Sequence, residues 1–416
     1  MSSELLFPSY GGLPNQSPRA GVLPLHTRNH PRSNLRISCL RYGLLLALFL
    51  MSLTSFAFQS PTAVPAVLSD KAAQSPLTAV TKAGERLVAV GQRGHILVSD
   101  DAGLHWIQAN VPVSSDLVAV SFASGTHGWA VGHGGTVLKT EDGGLNWVLQ
   151  LDGEQTSELI EGYYQSRIGD DAYPDAEMLV EREHVLTSFG GTQPLMDVYF
   201  ADELNGYVVG IFNRLLKTDD GGNTWEPWAH RVDNPYELHF YSINAGADGL
   251  YITGEQGMVW RLNEESQQFD SVATPYSGTL FGAAVSADLV VAFGMRGNAY
   301  LSDDKGQTWE HLEIESVAGI TDGVIVGKSA IVLVNLAGEL LISTDHGASF
   351  QAQPVARVMP FYGLAQVSGS QLALVGAEGV QQLAVATPDA TDGESRVSLF
   401  SVDSVVLNSL ERRHGK

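Results

Sequence analysis

One octapeptide constrains this chain more than anything else in it. The pattern is Ser/Thr, any, Asp, any, Gly, any, any, aromatic. It recurs as SDDAGLHW from Ser99, TEDGGLNW from Thr140, TDDGGNTW from Thr218, SDDKGQTW from Ser302 and STDHGASF from Ser343. A decayed copy, LNEESQQF, starts at Leu262, with Glu264 at the acid position and Ser266 in place of the glycine. A second mark, a GxxG turn after a short apolar run, precedes each copy. Its seven versions start at 91, 132, 210, 254, 294, 335 and 376, which are 41, 78, 44, 40, 41 and 41 residues apart. A fixed period near 41 residues signals a repeat architecture in which each unit buries its apolar face against its neighbours. The doubled gap contains Leu151–Gln193, which carries neither mark and reads as an insertion.

Each unit resolves into four short runs of β-branched and aromatic residues bounded by Gly, Asp and Asn. In the second unit they are LVAVSFA, GWAVG, TVLKT and NWVLQL. Runs of that length and composition are strands, and four per unit is the blade of a propeller. The expected fold is all-β: a seven-bladed β-propeller of four-stranded blades over residues 63–386, with a short helical insertion between blades 2 and 3. The box closes the hairpin between strands three and four. Asp101, Asp142, Asp220, Asp304 and Asp345 accept hydrogen bonds from N–H groups of their own turn. Trp106, Trp147, Trp225, Trp309 and Phe350 fold back onto the blade edge. These residues are therefore expected to be structural.

Residues 1–41 carry Arg19, Arg28, Arg32, Arg36 and Arg41 against one acid, Glu4, and an apolar run follows from Tyr42 to Phe58. With small residues at Ser55 and Ala57 this reads as a signal peptide over 1–57, cleaved after Ala57. The competing reading is an uncleaved membrane anchor. Either way the protein is expected to be exported, periplasmic or anchored facing the periplasm. The only cysteine, Cys39, precedes the run, so disulfides and thiolate metal sites are not expected beyond it. Removing the leader leaves 19 basic and 45 acidic residues, a formal charge of −26. Such a surface repels nucleic acid and anionic lipid. No cofactor, metal or nucleic acid is expected. The expected partner is a protein of the membrane or envelope. The tail from Thr387 to Lys416 is polar, and either Val397–Val402 or Ala63–Leu68 is expected to close the last blade.

The phrases GWAVGHGGTVLKTEDGGLNW (128–147) and GYVVGIFNRLLKTDDGGNTW (206–225) resemble the bacterial neuraminidase repeat. More closely, the chain resembles, over about residues 77–380, the photosystem II stability/assembly factor family and its relatives in non-photosynthetic bacteria. That resemblance implies a non-enzymatic scaffold that assembles a membrane complex, on the lumenal side in photosynthetic members. The insertion and the basic leader depart from the photosynthetic type.

Propeller topology puts the GxxG turns and the insertion on one face, opposite the boxes. That face offers Arg93, His133, Phe212, Arg214, Glu255, Met295, Arg296 and Glu378. The arginines are either solvated turn residues or a socket that clamps carboxylates of a partner. In the insertion, Leu159, Ile160, Tyr163, Tyr164 and Ile168 recur at helical spacing, and a second helical piece runs through Glu177–Val180. The apolar face of the first helix caps its own propeller or is reserved for a partner. The alternative function is a sialidase-like glycoside hydrolase, with Arg93, Arg214 and Arg296 cast as its substrate-binding triad. The Arg-Ile-Pro phrase of those enzymes is absent, and no tyrosine–glutamate pair can be assigned from the sequence.

Overall fold

In the computed structural model, which describes residues 59–188, 192–246 and 249–385, the repeats form seven antiparallel sheets. They span Leu77–Gln108, Leu117–Leu151, Leu195–Pro227, Phe240–Ala273, Leu280–His311, Ile320–Gln353 and Phe361–Ala384. The first strand of each blade lies at one edge of its sheet. These first strands touch one another all the way round, blade 7 against blade 1 included. The chain is thus the expected seven-bladed propeller, with the first strands as its inner ring and the fourth strands as its outer rim.

Two backbone devices repeat around this ring. Each first strand shifts register one residue after it starts, between Leu77 and Ala79 in blade 1 and between Phe361 and Gly363 in blade 7. Such a bulge bends the strand and increases its twist. The residue after the bulge is small in five blades: Ala79, Ala119, Ser242, Gly282 and Gly363. The second device is the GxxG turn. Its last glycine presses on the crossover to the next blade. A Cβ on Gly297, which sits at φ +73°, would overlap the carbonyl oxygen of Ser316, and one on Gly257 would overlap that of Tyr276. Only glycine has both the conformation and the room there.

The boxes behave as turn locks. The Asp142 carboxylate accepts N–H bonds from Leu145 and Asn146, both at 3.0 Å, and the Trp147 ring N–H donates to the Gly144 carbonyl at 2.9 Å. The first residue of the motif takes part as well. The Thr140 hydroxyl donates to Asp142 at 2.9 Å and accepts the buried N–H of Gly144 at 3.0 Å. Ser99, Thr218, Ser302 and Ser343 repeat that bond to Gly103, Gly222, Gly306 and Gly347. The N–H and side-chain bonds to His105 hold the Asp101 carboxyl down to about 2, and Thr308 and Ser349 do the same for Asp304 and Asp345. Blade 4 departs from the expectation. Glu264 is exposed, and Asn263 instead accepts the N–H groups of Glu265 and Ser266. Without the glycine the box cannot fold, so a shorter Asx turn closes the hairpin. Phe269, fully buried, keeps the aromatic position.

The insertion contains two helices, α1 (Gly153–Gln165) and α2 (Ala176–Thr187). A capping box starts α1: Asp152 accepts the Gln155 N–H at 2.9 Å, and the Gln155 side chain accepts the Asp152 N–H at 3.0 Å. Blade 7 shows three strands among the described residues. Ala63–Leu68 is not its fourth. That segment instead follows the outer edge of blade 1, where the Ala66 N–H donates to Val111 and the Ser69 N–H to Gln108. Val397–Val402 and the cleavage point after Ala57 lie outside the described residues.

Replacing Thr140 by Ala is expected to destabilise the fold by about 1–3 kcal/mol, because it orphans the buried Gly144 N–H. Asp142→Ala is expected to cost less, since the N–H groups it serves belong to exposed residues that water can reach. Denaturant unfolding of the two variants would give the opposite order if the carboxylate were the main lock.

Candidate functional site

The face carrying the GxxG turns is built from tight, nearly identical loops. The middle residue of the turn adopts a left-handed conformation in blade after blade: Arg93 at φ 57°, Gly134 at 73°, Gln256 at 55° and Arg296 at 59°. The same conformation at Arg, Gly and Gln alike belongs to the turn geometry and marks no ligand. Arg93 is exposed, and its backbone N–H is held by Asp116 at 2.8 Å. Arg296, Met295 and His133 are exposed. Among the described residues, neither the Arg93 nor the Arg296 guanidinium has a carboxylate within ion-pair distance. Glu255 is engaged: it accepts the His239 N–H at 2.9 Å. Glu378 lies 3.7 Å from Arg357.

Arg214 is not on this surface. Its side chain is 2% exposed, and one of its nitrogens donates to both carboxylate oxygens of Glu183, itself 1% exposed, at 2.6 and 2.9 Å. Burial lowers the Arg214 pKa, with Glu183 opposing the shift. The sequence expectation of three exposed arginines on one rim is therefore corrected to two. The reason is local: Arg214 starts its strand directly beneath the inserted helix α2, which supplies the matching acid. An arginine triad for a sugar carboxylate cannot form from a side chain already enclosed with its own partner.

The insertion faces its own propeller. Ile160, Tyr164, Leu179 and Val180 are buried in one cluster with Trp225 and Ala229 of the blade 3 region, and Leu159 and Tyr163 pack against it. The Tyr164 hydroxyl lies 3.0 Å from Nδ1 of His230, whose pKa burial pushes down to about 4. The Tyr163 hydroxyl donates to Glu226 at 2.6 Å, and the Arg167 guanidinium stacks 3.5 Å over the Tyr163 ring. Arg182 on α2 pairs with Glu237 at 2.9 Å. Leu159, Tyr163 and Tyr164, candidates for a partner-facing surface, are thus spent on capping blade 3.

Sequence reasoning missed two titratable residues. Asp197 and Asp322 occupy the post-bulge positions of blades 3 and 6, where the other blades carry Ala, Ser or Gly. Burial raises their pKa values, to about 7 and about 6. Each carboxylate reaches the next blade, Asp197 accepting the Ile243 N–H and Asp322 the Leu364 N–H, both at 2.8 Å. Alignment of the seven inner strands would have exposed them as the two acids in a ring of small residues. Among the described residues no three His, Cys, Asp or Glu side chains gather as metal ligands.

Replacing Arg214 by Met alone is expected to destabilise the protein by about 3–5 kcal/mol, since it leaves the Glu183 carboxylate buried without a partner. Adding Glu183→Leu is expected to recover most of that loss. A double variant no more stable than the single one, in denaturant unfolding, would show that the pair does not act as a unit.

Comparison with known proteins fits this geometry. The model of the family described as "Photosynthesis system II assembly factor YCF48" matches residues 98–161 and 184–329, just over half of the chain. The photosystem II assembly lipoprotein Ycf48 of Synechococcus sp. (strain CC9902) is 27% identical over 136 residues, which are 30% of this chain and 39% of that protein. The chloroplastic photosystem II stability/assembly factor HCF136 of Arabidopsis thaliana is 25% identical over 154 residues, 34% of this chain and 37% of that one. The chain thus matches about two fifths of the length of these relatives. A solved structure of YCF48 bound to a D1 peptide superposes with a TM-score of 0.56 at 19% identity, covering 78% of this chain and 99% of that one. The WD40 propeller domain of Doa1 superposes with a TM-score of 0.54 at 9% identity, covering 79% of this chain and 97% of that one, so these superpositions speak to the fold alone. Matched over half its length, through the boxes and turns that build its blades, the chain belongs to the YCF48 family of photosystem II assembly factors.

Proposed function

We propose that this chain is a non-enzymatic scaffold, outside the cytoplasm, that holds an acidic or carboxylate-ended segment of a membrane protein while its complex assembles. Family membership supports the scaffold role. One solved relative was captured with a D1 peptide. The observation that carries the reading is the pair of exposed guanidinium groups, Arg93 and Arg296, on a chain of formal charge −22. Neither has a carboxylate partner among the described residues. Arginine stays charged and grips a carboxylate with two parallel hydrogen bonds. His133, exposed on the blade 2 turn, adds a donor to the same face. Loops fixed on a rigid ring are suited to holding such a segment without reorganising. The address is the periplasm, or its lumenal equivalent, because a basic leader and an apolar run precede the propeller.

The hydrolase reading loses its support with Arg214. Two arginines remain where three are needed, and the box aspartates are committed to their own turns.

The test is crosslinking capture from the envelope fraction with the full-length protein and an Arg93→Ala/Arg296→Ala variant, each first shown to melt normally. His105→Ala, on the box face, is the control. A partner held through desolvated guanidinium groups should bind the double variant more weakly by about 2–5 kcal/mol and the control unchanged. Recovery of the same partners by the double variant would remove this face from consideration.

A further inference from the structure

The outer rim of the propeller is not uniform, and its departure is confined to two adjacent blades. At the residue after the box glycine, blades 3, 5 and 6 carry Asn223, Gln307 and Ala348. At the residue after the box aromatic they carry Glu226, Glu310 and Gln351. Blades 1 and 2 place Leu104 and Leu145 at the first position and Ile107 and Val148 at the second. These four side chains are exposed, and so are Val67 and Leu68, with exposures from 37% at Leu145 to 74% at Val67. The segments are neighbours. The Gln108 side chain donates to the Val67 carbonyl at 3.1 Å, and the Asn110 N–H donates to the Leu145 carbonyl at 2.9 Å. The stretches 59–69, 106–115 and 143–151 hold no charged residue, in a chain of formal charge −22.

We infer that this rim of blades 1 and 2 is a lipid-contacting edge that rests on the surface of an uncharged bilayer. Two observations point to lipid. The six side chains are aliphatic and stand on the outside of the ring, on the fourth strands, the box turns and the segment that follows the edge of blade 1. The apolar run Tyr42–Phe58 ends nine residues before Val67, and residues between them lie along blade 1, with the Ser114 N–H on the Pro61 carbonyl and the Ala66 N–H on that of Val111. Kept as a membrane anchor, that run holds a bilayer within reach of the patch. The lack of charge matters because the remaining surface is acidic and anionic headgroups repel it. Partial insertion of aliphatic residues is enough for reversible surface contact. The inference does not rest on the scaffold reading, since it concerns the outer rim and not the turn face.

The full-length chain, as the producing cell delivers it, is combined with phosphatidylcholine vesicles. In a Cys39→Ser background, a nitroxide is placed at Val148→Cys or, as a reference on the far rim, at Glu310→Cys. Collision with oxygen, which partitions into lipid, is compared with collision with a water-soluble nickel chelate. The expected result is an oxygen-to-nickel ratio several-fold higher at 148 than at 310. That difference should vanish when Leu104→Asn, Ile107→Glu and Leu145→Asn are added, substitutions that give blades 1 and 2 the residue types blade 3 already carries. Equal ratios at 148 and 310, or a difference that survives the triple substitution, would overturn the inference. So would shielding of position 148 from nickel only when envelope proteins are added, which would assign the rim to a protein.

Discussion

Everything in this molecule depends on how closely neighbouring blades approach at the turn face. In six blades the turn ends in a glycine that lies against the backbone of the segment leading into the next blade, with no space for a side chain at Gly257 or Gly297, and blade 3 carries Asn213 at that position. A flat, backbone-to-backbone contact of this kind fixes the path of the connecting segment and so the angle at which the next blade begins. Bulges at the start of every first strand set the other boundary, at the inner ring. Between these two constraints the blades have little freedom, and seven of them close. The carboxylates of Asp197 and Asp322 then bond blade 3 to 4 and blade 6 to 7 across the seams.

That rigidity decides what the insertion is. An amphipathic helix joined to such a ring either docks or remains free. Here α1 begins beside the blade 2 turn, packs Ile160 and Tyr164 into the blade 3 region, and hands over to α2, whose Glu183 meets Arg214. Two charges enclosed together cost desolvation, so the pair ties α2 to blade 3 while adding little net stability over an apolar pair of similar volume. Among the described residues, Arg93 and Arg296 on the turn face are left for a protein partner, and the aliphatic edge of blades 1 and 2 for a bilayer.

The sequence was legible wherever a residue's role is set by its own turn. Box aspartates bond within their own turn, and box aromatics and turn glycines recur at fixed steps along the chain, so spacing alone announces blade count and hairpin closure. Roles set by distant partners were hidden. Arg93 and Arg296 hold the third position of their turns, whereas Arg214 follows its turn and opens the next strand, and its acid lies 31 residues away on an inserted helix. Asn263 outcompeted Glu264 because, with the glycine gone, a different turn became the better closure. The Thr140 hydroxyl carried a signal that went unread: a Ser/Thr heads all five intact boxes, and it had to have a bond to make. Asp197 and Asp322 needed the seven inner strands laid over one another before two acids among small residues could stand out.

The central claim is that ring and insertion form a single rigid platform with free cationic points on one face. Hydrogen–deuterium exchange on the full-length protein, followed peptide by peptide, addresses it directly. The account predicts that amides of 153–187 are protected together with those of blade 3, and that adding a carboxylate-ended partner peptide slows exchange only in the turns around Arg93, His133 and Arg296. Rapid exchange throughout 153–187 while the blades stay protected, or protection by the peptide on α1 and α2 instead of the turns, would contradict it.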